Sequence, residues 1–112
     1  MDSQNSTIKP NSLARQLPEV TKCFDQLHDA VIKDGALPIK TKELIAVGIA
    51  VAVRCSPCIQ RHVPFALKAG NSPAEISEAV SVGILLGGGP SVIYAQEAAK
   101  LLDSLMVDKK EK

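Results

Sequence analysis

Residues 42–62 read KELIAVGIAVAVRCSPCIQRH. The first thirteen of them, Lys42 to Arg54, are apolar on every side beyond the opening turn. The alanines and the length favour a helix over the strand that the valines and isoleucines would also permit. A helix with no polar stripe is buried all round. A chain of 112 residues has difficulty supplying that cover alone, so this segment is the main sign of a homo-oligomer. Directly after it, Ser56-Pro57 reads as a new helix start, with Ser as N-cap and Pro at the first helical position. Two helices are thus expected to meet near residue 55, and if they fold back on each other there the cysteines lie at the bend.

Outward from that hairpin the remaining signals are also helical. Val20, Phe24, Leu27 and Val31 recur at steps of four, three and four, which is one helical face. A first helix is expected over about 13–33, with Pro18 in its first turn or ending a short preceding one. Asp34-Gly35 is a stop, and Ala36–Lys40, with Pro38, is a connection. Thr41 is the expected N-cap of the apolar helix. The helix after Ser56 should reach about Ala69, with Gly70 as its stop and Pro64 kinking or dividing it. Ser72-Pro73-Ala74-Glu75 is a capping box with Pro at the first position. The helix it opens should reach about Leu86, where Gly87-Gly88-Gly89-Pro90 breaks the chain. A last helix covers about 91–106. The expectation is an all-α bundle of five to six helices over residues 12–107. Residues 1–11 form a polar segment without order of its own, and residues 108–112 a charged tail.

Composition narrows the function. Thirteen basic and twelve acidic residues are interspersed, for a net charge near +1. That balance predicts neither nucleic acid nor an anionic membrane as partner. The apolar run is far shorter than the roughly 20 residues needed to span a bilayer. The N-terminal segment has no apolar signal core, so a soluble, cytoplasmic protein is expected. Three cysteines, two of them in C-x-x-C spacing, suit metal binding or redox chemistry better than a secreted disulfide framework.

The chemistry gathers at residues 55–62. On the expected helix, Cys58 is the second residue, where unpaired backbone N–H groups and the positive dipole end favour a thiolate. His62 lies four residues on, on the same face, and can take the thiol proton or pair with the thiolate. Cys55 is close enough to form a short-loop disulfide. One thiolate attacks and the other resolves the mixed disulfide. If the hairpin bends at residue 55, Glu43 stands roughly 7 Å out of step with His62, a gap for a long side chain and one water. It can orient His62 or relay its proton. Arg54 and Arg61 flank the thiols and can favour the thiolate. Cys23 reads as a small buried hydrophobe, His28 as solvated or locally hydrogen-bonded, and Tyr94 as packing. The triple glycine lacks the Lys-Ser/Thr of a phosphate loop and reads as a break with close packing.

Glu43, Cys55 twelve positions later, then Cys58 and His62 form the pattern E-x(11)-C-x-x-C-x-x-x-H. With Lys42-Glu43-Leu44-Ile45 opening an apolar helix, it resembles the carboxymuconolactone decarboxylase / AhpD-like (alkylhydroperoxidase D-like) family. The similarity runs from about Leu37 to Gly89. The resemblance implies an all-helical AhpD-like fold assembling into trimers or hexamers. It implies a redox-active Cys55–Cys58 disulfide, with no other cofactor, and a proton relay through Glu43 and His62 activating Cys58, the exchanging thiol. It also implies electrons from a dithiol such as lipoamide or a thioredoxin-like protein, passed to a peroxiredoxin or to peroxide in an antioxidant, peroxidase-like activity. Pro57 departs from the pattern, since many members carry His or Tyr there, and this bears on peroxidase activity more than on disulfide exchange. The decarboxylase branch proper does not use the cysteine pair.

Other readings stay open at the level of sequence. Cys55, Cys58 and His62 are possible zinc ligands, with Cys23, His28, Glu43 or a symmetry mate as a fourth. Glu43 and His62 can serve as acid and base in a carboxymuconolactone decarboxylase-like lyase or isomerase. A non-catalytic helical assembly module would need none of this chemistry.

Overall fold

A computed structural model describes residues 11–111, with side chains as far as residue 107. The expectations for residues 1–10 and for the side chains of the charged tail lie outside the described residues. The chain divides into two compact units between Asp34 and Gly35.

The first unit holds α1 (Ser12–Gln16) and α2 (Pro18–Val31). The single expected helix is thus split at Leu17, whose φ of −130° and ψ of 62° are not helical. The residue before a proline is pushed out of the α region, and Pro18 then opens α2 at a position where its missing N–H costs nothing. Asn11 caps α1, its Oδ1 accepting from the Ala14 N–H at 3.2 Å. On α2, the periodic face predicted from sequence is present but open: Val20, Phe24, Leu27 and Val31 are all exposed.

The second unit is a four-helix assembly of α3 (Ile39–Ala52), α4 (Ser56–Lys68), α5 (Pro73–Gly87) and α6 (Ser91–Glu111). All six described helices agree with the all-α expectation, and no strand occurs among the described residues. The apolar helix α3 is central and touches α4, α5 and α6. Val47 and Val51 from α3, Ile59 and Val63 from α4, and Ile76 from α5 are fully buried together. Each such side chain contributes on the order of 1.5–3 kcal/mol by leaving water.

Close packing of α3 on α5 depends on glycine. A Cβ on Gly83 would lie 2.5 Å from the Gly48 carbonyl oxygen, and one on Gly87 would lie 2.9 Å from the Ala52 Cα. Gly88, at φ 77°, ends α5. The capping box of α5 is complete, with the Glu75 N–H donating to Ser72 Oγ at 3.1 Å and the Ser72 N–H donating to Glu75 Oε1 at 2.8 Å.

Several local expectations are corrected. Pro38, not Thr41, stands at the N-cap of α3, and its carbonyl accepts the Thr41 and Lys42 N–H groups at 3.0 and 3.1 Å. Pro64 does not divide α4, because Val63 and Ala66 beside it are fully buried in the core and hold the helix through it. α6 runs to Glu111 rather than about 106. Finally, α3 is not covered on all sides by its own chain: Ile45 is 46% and Ile49 56% exposed.

Candidate functional site

The hairpin between α3 and α4 is a three-residue corner, Val53-Arg54-Cys55. α3 ends in a Schellman arrangement, with the Cys55 N–H donating to the Ala50 carbonyl at 3.0 Å and the Arg54 N–H to that of Val51 at 3.2 Å. The residue in the left-handed position is Arg54, at φ 58°, where glycine is the usual occupant. Cys55 then serves as the N-cap of α4, and its sulfur accepts from the Cys58 N–H at 3.3 Å.

This corrects the expected helix start. Ser56 is the first helical residue rather than the cap, so Cys58 becomes the third. The reason is long-range: the Ser56 hydroxyl is drawn away from the backbone and donates to Glu97 Oε2 on α6 at 2.6 Å. Gln60, one turn on, donates to the same oxygen at 2.9 Å. These two hydrogen bonds, Ser56's the stronger, hold the Glu97 carboxyl below the ordinary glutamate range.

Cys55 and Cys58 form a disulfide with their Cα atoms 5.3 Å apart, a usual span for such a bond. On α4 the step from Cys58 to His62 is one turn, and His62 meets Glu43 from α3. Its Nδ1 lies 3.1 Å from Glu43 Oε1 and 3.4 Å from Oε2. The Glu43 side chain is 1% exposed and that of His62 15%. No bridging water is needed: α3 ends at Ala52 and α4 begins at Ser56, so the two side chains are only about 4.5 Å out of step along the arms, at 1.5 Å per residue.

Of the residues singled out from sequence, Glu43 and His62 meet across the α3–α4 hairpin, and Cys55 and Cys58 are joined at its corner, with His62 one helical turn beyond Cys58. Cys23 is different. It is an exposed free thiol and not a buried hydrophobe, because the α2 face it shares with Leu27 is itself uncovered. His28 lies with its Nδ1 3.6 Å from Asp29 Oδ1, too far for the local hydrogen bond expected. Tyr94 packs against the core. Arg54 is exposed, and the Arg61 guanidinium lies over the Phe65 ring at 5.8 Å. Among the described residues, no three His, Cys, Asp or Glu side chains gather as a metal cage. Of the ligands in the zinc reading, the two sulfurs are bonded to each other, and His62 pairs through Nδ1 with Glu43.

Glu97 was not anticipated. It lies 41 residues from Ser56, and no spacing rule links them. The available signal was weak: a carboxylate at the edge of the buried stripe that Ala95, Ala98 and Leu102 form on α6. An open apolar groove of about 610 Å³ runs between α3 and α5 past Ile45, Ile49, Val82 and Leu86, and none of the four site residues lines it. No helix among the described residues is long and apolar enough to cross a membrane.

Comparison with known proteins points the same way. Residues 18–101 match the model of the carboxymuconolactone decarboxylase family. An uncharacterized protein of Cupriavidus necator is 34% identical over 94 residues, which is 84% of this chain and 83% of that one. A protein of the cox locus of Paracoccus denitrificans is 35% identical over 77% of this chain and 78% of its own. A carboxymuconolactone decarboxylase family protein of Legionella pneumophila, solved by crystallography, superposes with a TM-score of 0.76 at 39% identity, covering 83% of each chain. One from Thermotoga maritima, for which a part in an antioxidative response has been suggested, superposes with a TM-score of 0.79 at 32% identity, covering 83% of this chain and 96% of that one.

Proposed function

The chain belongs to the carboxymuconolactone decarboxylase family, and from that membership we propose that it is a thiol–disulfide oxidoreductase of the alkylhydroperoxidase D-like type. The observation that carries this reading is the Cys55–Cys58 disulfide at the start of α4, one turn from a histidine already paired with a buried glutamate. An ionised Glu43 can only accept a hydrogen bond, so His62 carries its proton on Nδ1 and presents Nε2 as the proton-accepting nitrogen.

In the reductive half, a thiolate of a dithiol donor attacks Cys58 Sγ. The Cys55–Cys58 bond breaks and its electron pair stays on Cys55, whose sulfur already accepts the Cys58 N–H at the helix N-cap. A thiolate stabilised there is the better leaving group. The donor's second thiol then attacks the mixed disulfide and leaves as the oxidised donor, releasing Cys58. Of the two protons carried by the donor thiols, one ends on Cys55 and the other is passed out through His62 and Glu43, which leaves Cys58 as the thiolate. Lipoamide or a thioredoxin-like protein is a donor of the right class.

In the oxidative half, the reduced pair passes its two electrons to a disulfide, such as that of a peroxiredoxin, or to a hydroperoxide. With a hydroperoxide, the Cys58 thiolate attacks the terminal oxygen, the O–O bond breaks and an alcohol leaves. Cys55 then attacks the sulfenic acid, closing the disulfide and releasing water. Pro57 supplies no proton-transferring side chain between the cysteines, which favours disulfide exchange over direct peroxide reduction.

The working form is a homo-oligomer, a trimer or hexamer. Support comes from the open apolar face of α2 and, separately, from the exposed Ile45 and Ile49 on a helix otherwise without a polar stripe. Light scattering on the purified chain tests this. The chemical reading is tested by equilibrating the protein across a dithiol/disulfide redox buffer. A reversible Cys55–Cys58 couple is expected, and a pair that does not cycle would remove the reading.

A further inference from the structure

The first turn of α4 is held from two sides. His62 meets Glu43, and residue 58 lies about 40° from it around the helix, whereas residues 56 and 60 lie about 200° from 58 and 62 respectively, at 100° per residue. On that opposite face both Ser56 Oγ and Gln60 Nε2 donate to the one oxygen, Oε2, of Glu97. Ser56 is one of only two residues between the cysteines, so its anchoring fixes the loop that the disulfide closes. The bond from Ser56 is short and charge-assisted, the stronger kind.

We infer that Glu97 is a positioning residue for the cysteine pair: it clamps Ser56 and Gln60 to α6 and sets a fixed negative charge beside the turn in which a thiolate must form. This rests on the thiol–disulfide reading given above. The disulfide is neutral, whereas its two-electron reduction by a dithiol, with uptake of one proton at the pair, leaves one thiol and one thiolate. An anion held at the same turn opposes that added charge, so Glu97 tilts the equilibrium toward the disulfide and holds the thiol pKa up. Other charges belong to the same region: Arg54 and Arg61 flank the motif in sequence, the Glu43–His62 pair lies on the other face of α4, and Lys100 lines the same shallow pocket as Glu97 and Gln60. Cations near the motif would favour the thiolate and Glu97 opposes it, so the couple's potential reflects the balance.

The test uses the full chain, dithiothreitol as the dithiol, and iodoacetamide to follow thiolate. Glu97→Gln keeps an oxygen that accepts from Ser56 and Gln60 but removes the charge. It is expected to shift the redox equilibrium roughly three- to tenfold toward the dithiol, about 14–30 mV at 29.6 mV per tenfold. The alkylation profile should move to lower pH with it. Ser56→Ala keeps the charge and removes one anchor. It is expected to speed amide exchange at Cys58 and Ile59 without that shift. If Glu97→Gln leaves potential and profile as they are, or moves them the other way, the inference is overturned. It is equally overturned if Ser56→Ala reproduces the whole shift. A wild-type pair that does not cycle takes down the underlying thiol–disulfide reading as well, an outcome distinct from a cycling pair indifferent to Glu97.

Discussion

Glu43 Oε1 sits 3.1 Å from His62 Nδ1, joining α3 to α4 across nineteen residues of sequence with both side chains largely out of water. A carboxylate buried to this degree needs such a partner. Glu43→Gln keeps the shape and removes the charge that holds the histidine tautomer. The rate of disulfide exchange with a dithiol should fall roughly 10- to 100-fold, with a smaller change in the donor's KM. Stopped-flow reduction of the oxidised variant by the dithiol measures it, and an unchanged rate would leave Glu43 a structural residue.

The two cysteines should separate in their behaviour. Cys55→Ser is expected to trap a mixed disulfide on Cys58, whereas Cys58→Ser should exchange little. Mass spectrometry of the donor adducts reads this directly. The Cys55→Ser, Cys58→Ser double variant should have no redox turnover. Activity retained in that variant would favour the lyase reading built on Glu43 and His62.

Arg54 occupies the left-handed corner at φ 58°. A non-glycine residue there carries backbone strain of order 1 kcal/mol. Arg54→Gly should therefore stabilise the fold by roughly 0.5–1 kcal/mol, less the extra entropy glycine has when unfolded. Urea titration of the oxidised protein checks the sign.

Gly83→Ala should do the reverse. Alanine is the better helix former by about 1 kcal/mol, but its Cβ would press on the Gly48 carbonyl and on Val51 Cβ, the latter at 2.9 Å. Overpacking at rigid backbone costs about 1–3 kcal/mol and should win. A lower urea midpoint with an unchanged slope is the expected result.

Acid should loosen the second unit through two glutamates. Glu75 is held below its usual 4.5 first by the Ser72 backbone N–H. Glu97 is held below the same value first by Ser56. Because both folded values are depressed, the stability they contribute is complete above the ordinary glutamate range and is lost as pH falls through the lower folded values. Glu97→Gln should flatten its share of that loss in a pH series of melts.

Local and near-local signals made most of this legible. The Ser72–Glu75 capping box lies within four consecutive residues, and the hairpin is marked by one apolar run and one helix start. Glu43 and His62 lie on the two arms of one hairpin and the cysteines at its corner, so hairpin geometry alone makes both pairs, Glu43 with His62 and Cys55 with Cys58. What escaped depended on distant chain. Ser56 looked like a cap because nothing nearby competes for its hydroxyl, and the competitor is Glu97. The exposure of Cys23 follows from a helix face that is apolar yet uncovered, and periodicity specifies a face without saying what meets it.

Cys55 closes α3 with its N–H and opens α4 with its sulfur. Serine can perform both tasks, and as a cap it does the second well. Architecture and reactivity at this position are therefore separable in descent. A lineage that no longer needed the chemistry could exchange one atom, sulfur for oxygen, and inherit the corner intact, so relatives with an unaltered hairpin and a silent site are to be expected.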